Sequence, residues 1–378
     1  MGLTISLDDS VEHFRSEVSS FLAANPPPSA SVEHDLDLFV CVSRAWQKKL
    51  AASKFVGTFF PKEYGGRGFG LVEESVAQEE LAKVGAPQLA GIFGLTMVGP
   101  VLIKHGSIEQ KQSFLARILS GDDLWCQGFS EPDAGSDLAA LKTSAVVEGA
   151  AYVVNGQKVW TSFAQYADWC FLLARTDNTV KRHQGLSYFL VKMDTPGITV
   201  RPLKQITGES EFNEVFFDNV KIPASQMVGT PGQGWEIAIS TLMYERVVLT
   251  LARHLQSESA LSELTQKILA VPNNESLKIR LGNLKAKNAA VRALALSHLV
   301  QYQKGDSPGP EGSMDKLFWS ETFQEITSFA LELSPEQITD GGALLQRYLY
   351  SKGRTIAAGT SEIQRNIIAE RVIGLPRK

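Results

Sequence analysis

Two stretches and one acid carry the side chains best suited to chemistry. The first stretch is Gly128-Phe129-Ser130-Glu131-Pro132-Asp133-Ala134-Gly135-Ser136-Asp137. Pro132 lacks an amide proton, and Gly128 and Gly135 admit backbone angles closed to other residues, so this is a loop. Its small side chains let a backbone approach a ligand closely, and amides in such a bend can face an anion such as a pyrophosphate. An ordinary polar loop has the same composition. The second stretch is Asn155-Gly156-Gln157-Lys158-Val159-Trp160-Thr161-Ser162. A flat aromatic beside two hydroxyls can pack on a planar cofactor and bond its edge, or simply fill a core. The acid is Glu245, in the run ISTLMYERVVLTLA. Placing Ala238, Leu242, Glu245, Leu249 and Ala252 on one helical face surrounds the carboxylate with aliphatic groups. Desolvation there raises a carboxyl toward the range of a usable general base. A structural ion pair, for example with Arg253, is the other reading. His105 and His254 stand alone on helical segments and read as packing or surface groups.

The elements that must position these residues change along the chain. Helical spacing of apolar residues predicts helices over 10–24, 36–52, 71–84, 89–105 and 108–119, with a glycine-rich loop over 61–70. After Gly121 the pattern becomes β-rich: 169–174, 186–192, 198–203 and 214–217. Ala145–Val147, a break at Glu148-Gly149-Ala150, and Tyr152–Val154 followed by Asn155-Gly156 form a hairpin-like ladder with a strong turn signal. From Gly234 helices return, over 234–256, 257–270, 275–303, 313–333 and 341–372, with breaks at Pro272 and around 307–310. The expected fold is α+β. A helical segment (1–121) precedes a small middle β domain of antiparallel strands (122–226) and a C-terminal helical bundle (227–378). No glycine-x-glycine unit sits on a strand-to-helix turn, which argues against a Rossmann fold.

Composition narrows the function classes. The chain has 378 residues, 44% of them hydrophobic, enough for a large core. A net charge of −4 gives no reason to expect nucleic acid or an anionic membrane as partner. Cys41, Cys126 and Cys170 are isolated and without ligand-like spacing, which suits a reducing compartment and argues against a zinc site. No apolar run reaches the ~20 residues of a membrane span. The chain reads as soluble and cytoplasmic.

The run GFSEPDAGSDLAALKTSA…YVVNGQKVWTS resembles the flavin-binding signature of the acyl-CoA dehydrogenase family. FFPKEYGGRG (59–68), HGSIEQKQSFL (105–115) and AAGTSEIQRNIIAERVIGLPR (357–377) resemble its other motifs, in the same order. The resemblance implies an N-terminal helical domain, a small β domain, a C-terminal four-helix bundle and FAD as cofactor. It places Gln127, Phe129 and Ser130 at the isoalloxazine edge, and Gly135 and Ser136 near the pyrophosphate or substrate. Trp160, Thr161 and Ser162 would lie at the flavin face, with Thr360 and Glu362 reaching it from the last helix. Most members take their base from a tyrosine-glutamate-glycine-threonine motif. Here that motif reads Ala357-Ala358-Gly359-Thr360. A minority, including the isovaleryl and long-chain types, carry the base just before an arginine on another helix, and Glu245-Arg246 matches that pattern. The implied reaction is α,β-desaturation of an acyl-CoA, with Glu245 removing the α-proton. The amide at Ala358 and a flavin ribityl hydroxyl would meet the enolate oxygen; Tyr244, Arg246, Ser136 and Gly359 would contact substrate. An electron-transfer flavoprotein would accept the electrons, and the assembly would be a homotetramer or heterotetramer.

Two segments depart from the family. Its arginine-x-x-phenylalanine-glycine run is missing near SLKIRLGNLK (276–285), and SPEQITDGGALLQRY replaces its glutamine-x-x-glycine-glycine-x-glycine run. Both normally complete the adenine end of an FAD site across a subunit interface. A related partner subunit that supplies the missing side is therefore an open alternative to two copies of this chain, and this chain could itself be the partner subunit that completes another chain's FAD site. A flavin oxidase or monooxygenase on the same scaffold is another.

Overall fold

The computed structural model describes residues 8–29, 35–248, 250–303 and 309–376; side chains are described for these except 245–248, 250 and 303. The chain divides into two compact units, each built from separate stretches of sequence.

One unit gathers residues 27–69 and 86–245. It contains α2 (Leu36–Ala52), α4 (Gly99–His105), α5 (Ile108–Ser120), most of α6 (Gly234–Val248) and an eight-stranded sheet. Its strands are β1 (Trp125–Gly128), β2 (Ser144–Glu148), β3 (Ala151–Ser162), β4 (Trp169–Arg175), β5 (Leu186–Lys192), β6 (Ile198–Leu203), β7 (Phe212–Pro223) and β8 (Met227–Val228). The order is β6-β7-β3-β2-β4-β5-β8, with β1 alongside β4. Most neighbours are antiparallel, but β1 and β2 each run parallel to β4, so the expected wholly antiparallel sheet is corrected. The parallel pairing sets Cys126 opposite Cys170. Two thiols isolated in sequence are thus buried neighbours, both reduced.

The hairpin turn falls within the expected break over Glu148-Gly149-Ala150. It is Gly149-Ala150, with Gly149 at φ +63°, between the paired Glu148 and Ala151. Asn155-Gly156 lies inside β3, where the register against β7 shifts. Gly156 serves a close approach there: a Cβ would stand 2.4 Å from Thr143 Oγ1. α5 begins with a capping box between Ser107 and Gln110 and stops at Gly121 in the left-handed region. Gln110 then donates to the carbonyls of Ser225 and Met227, tying the helix to the rim of the sheet. The expected helix over 89–105 is regular only from Gly99, after a π-helical turn at Gly94–Val98.

The other unit gathers residues 1–26, 70–85 and 246–378. Its helices are α1 (Asp9–Ala24), α3 (Leu71–Lys83), α7 (Thr250–Leu269), α8 (Glu275–Gln303), α9 (Gly312–Glu332), α10 (Glu336–Asp340), α11 (Ala343–Arg354) and α12 (Ser361–Ile367). α7, α8, α9 and α11 form a bundle around Leu261, Leu264, Ile268, Leu284, Ile326 and Phe329, all buried. α3 packs on α7 and α8, and α1 on α3. Arg15 bridges Glu79 and Glu80, and Arg292 reaches Glu79 from α8. The expected boundary between helices at 256 and 257 is absent, because α7 runs unbroken from Thr250 to Leu269. The expected single helix over 341–372 is broken. Ala358 and Gly359 take φ of +56° and +92°, which no α-helix tolerates, and a new helix begins after Thr360.

Candidate active site

The loop and the strand that carry the chemistry-bearing residues are bound together by a buried ion pair. Lys158, on β3, is fully buried and donates to Glu131 Oε1 at 2.8 Å and to the carbonyl of Phe129 at 2.9 Å. Glu131 also accepts from the amides of Lys142 (2.6 Å) and Thr143 (2.8 Å). Glu131 and Ala134 exchange backbone bonds at 3.0 and 3.1 Å, closing the loop on itself. The amide of Val159 bonds the carbonyl of Ser130 at 2.9 Å. Burial pulls Lys158 down to about 8, against the opposing pull of Glu131. Burial also works to raise the Glu131 carboxyl, yet Lys158 and the amides hold it below the usual carboxylate range.

This anchoring sets what the loop and strand present. Gln127 and Ser130 are half-buried, Phe129 is buried, and Gly135 and Ser136 are exposed. A Cβ on Gly135 would meet nothing within 4 Å, so the bend has room beside it. Trp160 is 61% exposed at φ +59°, its ring edge-on to Phe212 at 5.9 Å. Thr161 is buried and its hydroxyl meets no partner among the described residues, and Ser162 is buried beside it. Asn213 supports this end of β3 by donating to the carbonyl of Thr161 at 3.0 Å and bonding Gln165. An exposed indole, an unpartnered hydroxyl and an open glycine bend suit a large planar ligand with polar edges and an anionic arm, and FAD has that chemistry.

The second group of expected residues lies in the other unit. Ala358, Gly359 and Thr360 form the turn between α11 and α12, and the hydroxyl of Thr360 accepts from the amide of Ile363 as the cap of α12. Glu362 is exposed on the first turn. Among the described residues, the amides of Ala358, Gly359 and Thr360 meet no acceptor. Lys316 and Gln364 donate to the carbonyls of this turn.

Glu245 belongs to helix α6 by its backbone, but its side chain, like that of Arg246, lies outside the described residues. On the same helix Ala238 is buried and Leu242 half-buried. Tyr244 is half-buried, and burial pushes its hydroxyl up. His254 is buried, its Nδ1 meets no partner among the described residues, and burial lowers its ring below the usual value.

Sequence reasoning missed Lys158, Glu131, Asn213, Lys316 and Gln364. Lys158 left one signal, a charge two positions before Trp160 within the second chemistry-bearing stretch. A cavity of about 1460 Å³, lined by Phe114, Trp169, Gln165, Met193 and Gln226 among others, contains none of the expected site residues. Among the described residues no helix is long and apolar enough to cross a membrane, and no three His, Cys, Asp or Glu side chains are grouped to hold a metal ion.

Comparison with known proteins bears on the chain as a whole. Family models for the acyl-CoA dehydrogenase N-terminal, middle and C-terminal domains match residues 8–122, 126–220 and 232–373. Acyl-CoA dehydrogenase IpdE1 of Mycobacterium tuberculosis is 40% identical over 97% of this chain and 98% of its own length. An acyl-CoA dehydrogenase structure from Geobacillus kaustophilus superposes with a TM-score of 0.86 at 27% identity, covering 97% of this chain and 99% of that one. A chain of the ChsE4-ChsE5 complex from Mycobacterium tuberculosis gives 0.85 at 29% identity, over 100% of both chains. The chain belongs to the acyl-CoA dehydrogenase family, whose members are flavin-dependent oxidoreductases that bind FAD.

Proposed function

We propose that this chain is an FAD-dependent dehydrogenase that introduces an α,β double bond into an acyl-CoA thioester, with Glu245 as the base. One observation carries the reading. The chain matches the family over nearly its whole length, yet the position that usually holds the base is Ala358, while an acid stands at the alternative Glu-Arg position.

The bound flavin supplies a hydride acceptor. The remaining work falls to the protein. Glu245 removes the α-proton, its basicity raised by the aliphatic residues of α6. The thioester α-proton is too weakly acidic for a carboxylate acting alone, so donors must meet the developing enolate oxygen. The amide of Ala358 fills that role, and replacing a glutamate side chain with methyl leaves that amide in place. Trp160, Thr161 and Ser162 would lie at the flavin face and Ser130 would bond its edge, with Gln127 and Phe129 beside it. Gly135 and Ser136 face the pyrophosphate or the thioester, and Thr360 and Glu362 reach the flavin from the C-terminal side. Arg246 orients Glu245, and Tyr244 and Gly359 contact the substrate. An electron-transfer flavoprotein takes the electrons onward.

The assembly favoured here is a heterotetramer with a related subunit. The two segments that usually build the adenine end of the FAD site across an interface are absent from this chain. One structural neighbour is a ChsE4-ChsE5 complex, and another is described as a steroid acyl-CoA dehydrogenase built from Tcur3481 and Tcur3483. A bulky thioester, steroid-linked ones included, is the substrate class to try first.

The test is anaerobic bleaching of the flavin in the purified protein, alone and co-expressed with a related subunit, against straight, branched, aromatic and steroid-linked acyl-CoA thioesters. Glu245→Gln should keep flavin and lose at least ~10² in turnover. Unchanged turnover would remove Glu245 from the mechanism. Reduced flavin that rapidly consumes oxygen would favour an oxidase instead.

A further inference from the structure

We propose that Lys316 and Gln364 are positioning residues for the reaction: they hold the carbonyls of Ala358 and Gly359 so that the amides of Gly359 and Thr360 face the thioester oxygen beside that of Ala358. The proposal rests on the dehydrogenase reading above.

The geometry lies within one unit. Lys316, on α9, is 4% exposed, and Gln364, on α12, is fully buried. Lys316 Nζ donates to the carbonyl of Gly359 at 2.7 Å. Gln364 Nε2 donates to the carbonyl of Ala358 at 2.7 Å and to that of Gly359 at 3.3 Å. Two successive peptide carbonyls are therefore held by side chains buried in the helical unit. The C=O and N–H of a trans peptide point in opposite directions, so fixing these carbonyls turns the amides of Gly359 and Thr360 the other way. Together with the amide of Ala358 they make three successive donors that meet no acceptor among the described residues. Successive amides around a left-handed residue form a concavity suited to negative charge.

The backbone needs such a clamp. Ala358 sits at φ +56°, a conformation disfavoured for a residue with a Cβ, and it persists only where surrounding bonds over-determine it. The close fit of Gln364 shows at Gly359, where an added Cβ would stand 2.7 Å from Nε2. Elsewhere the turn is tied by the amide of Ser361 to the carbonyl of Thr355 at 3.0 Å and by those of Ile356 and Ala357 to that of Gly353. These bonds leave the orientation of the 358–360 peptides to Lys316 and Gln364.

The test uses the FAD-loaded assembly with Lys316→Met and, independently, Gln364→Met, which nearly keeps the side-chain volume but removes the donor. Expected results are a kcat lower by about 10- to 100-fold with KM changed far less, as befits donors that matter most to the developing anion. The second readout is a 3-oxoacyl-CoA, whose enolate forms a long-wavelength band with oxidised flavin. Its ionisation in the site should move up by about one pH unit or more in either variant. A purely structural role would lower melting temperature or flavin content while leaving that ionisation unchanged in the loaded molecules. Variants that hold flavin and show wild-type kcat and ionisation overturn the proposal. If the wild-type assembly is bleached by no thioester, the dehydrogenase reading itself fails, and this inference with it.

Discussion

Two irregular segments, the loop Ser130–Ser136 and the turn Ala357–Thr360, are each fixed by a buried lysine that bonds a main-chain carbonyl, but the company of the two lysines differs. Lys158 bonds Phe129 and has Glu131 as counter-ion, and Glu131 in turn collects the amides of Lys142 and Thr143. Lys316 bonds Gly359 next to the neutral amide of Gln364, which shares the same carbonyl. The first loop is therefore held by an ion pair whose members depend on each other for stability out of water. The turn is held in part by a group that has no charge to lose.

The largest expected effect breaks the first clamp. Lys158→Met leaves Glu131 buried without its cation and should cost about 3–5 kcal/mol in urea denaturation, whereas Lys158→Met with Glu131→Leu should recover most of that loss. A double variant as unstable as the single one would show that the amide bonds to Glu131, rather than the pairing, hold the loop. Next is Gly156→Ala, which drives a Cβ to 2.4 Å from Thr143 Oγ1 at the register shift of β3 and should cost about 1–3 kcal/mol. A neutral result would mean that β3 reaches Trp160 without the bulge.

The contrast also has a pH signature. Glu131 titrates below its unfolded value, so its contribution is present above about pH 4.3 and is lost as pH falls through the folded value. Stability measured from pH 6 downward should drop in the wild type, and Glu131→Gln should flatten that part of the curve. Gln364 carries no such dependence, so Gln364→Leu should leave the slope as it is. The smallest effect is expected for Ala358→Gly. Relief of the left-handed strain and the greater freedom of the unfolded glycine nearly cancel, leaving a change within about 1 kcal/mol by thermal melting. A loss well beyond that would mean that the methyl group packs against something essential.

Much of this molecule was legible in sequence because its signals are local. The bounds of α2, α8, β5 and β6 follow from apolar spacing and turn residues read within one window. The loop over 128–137 was legible because proline and glycine forbid anything else there. The hairpin break over 148–150 was legible as well, but the second turn signal misled: Asn155-Gly156 has the composition of a hairpin turn, and the pairing of β3 with β7 and the closeness of Thr143 absorb it into a strand. The helix over 341–372 failed for a related reason. Alanine at 357 and 358 favours helix locally, and bonds from α9 and α12 outweigh that preference.

By itself the sequence determined the order of helix and strand, the family and the residue types available for chemistry, including an alanine where most relatives carry their base. Tertiary structure decided which of those residues act together. Glu131 and Lys158 are separated by a loop and two strands, and Lys316 and Gln364 lie on different helices from the turn they hold. Their pairing arises only when burial removes the water that would otherwise satisfy each charge and carbonyl, leaving the protein itself as the sole partner.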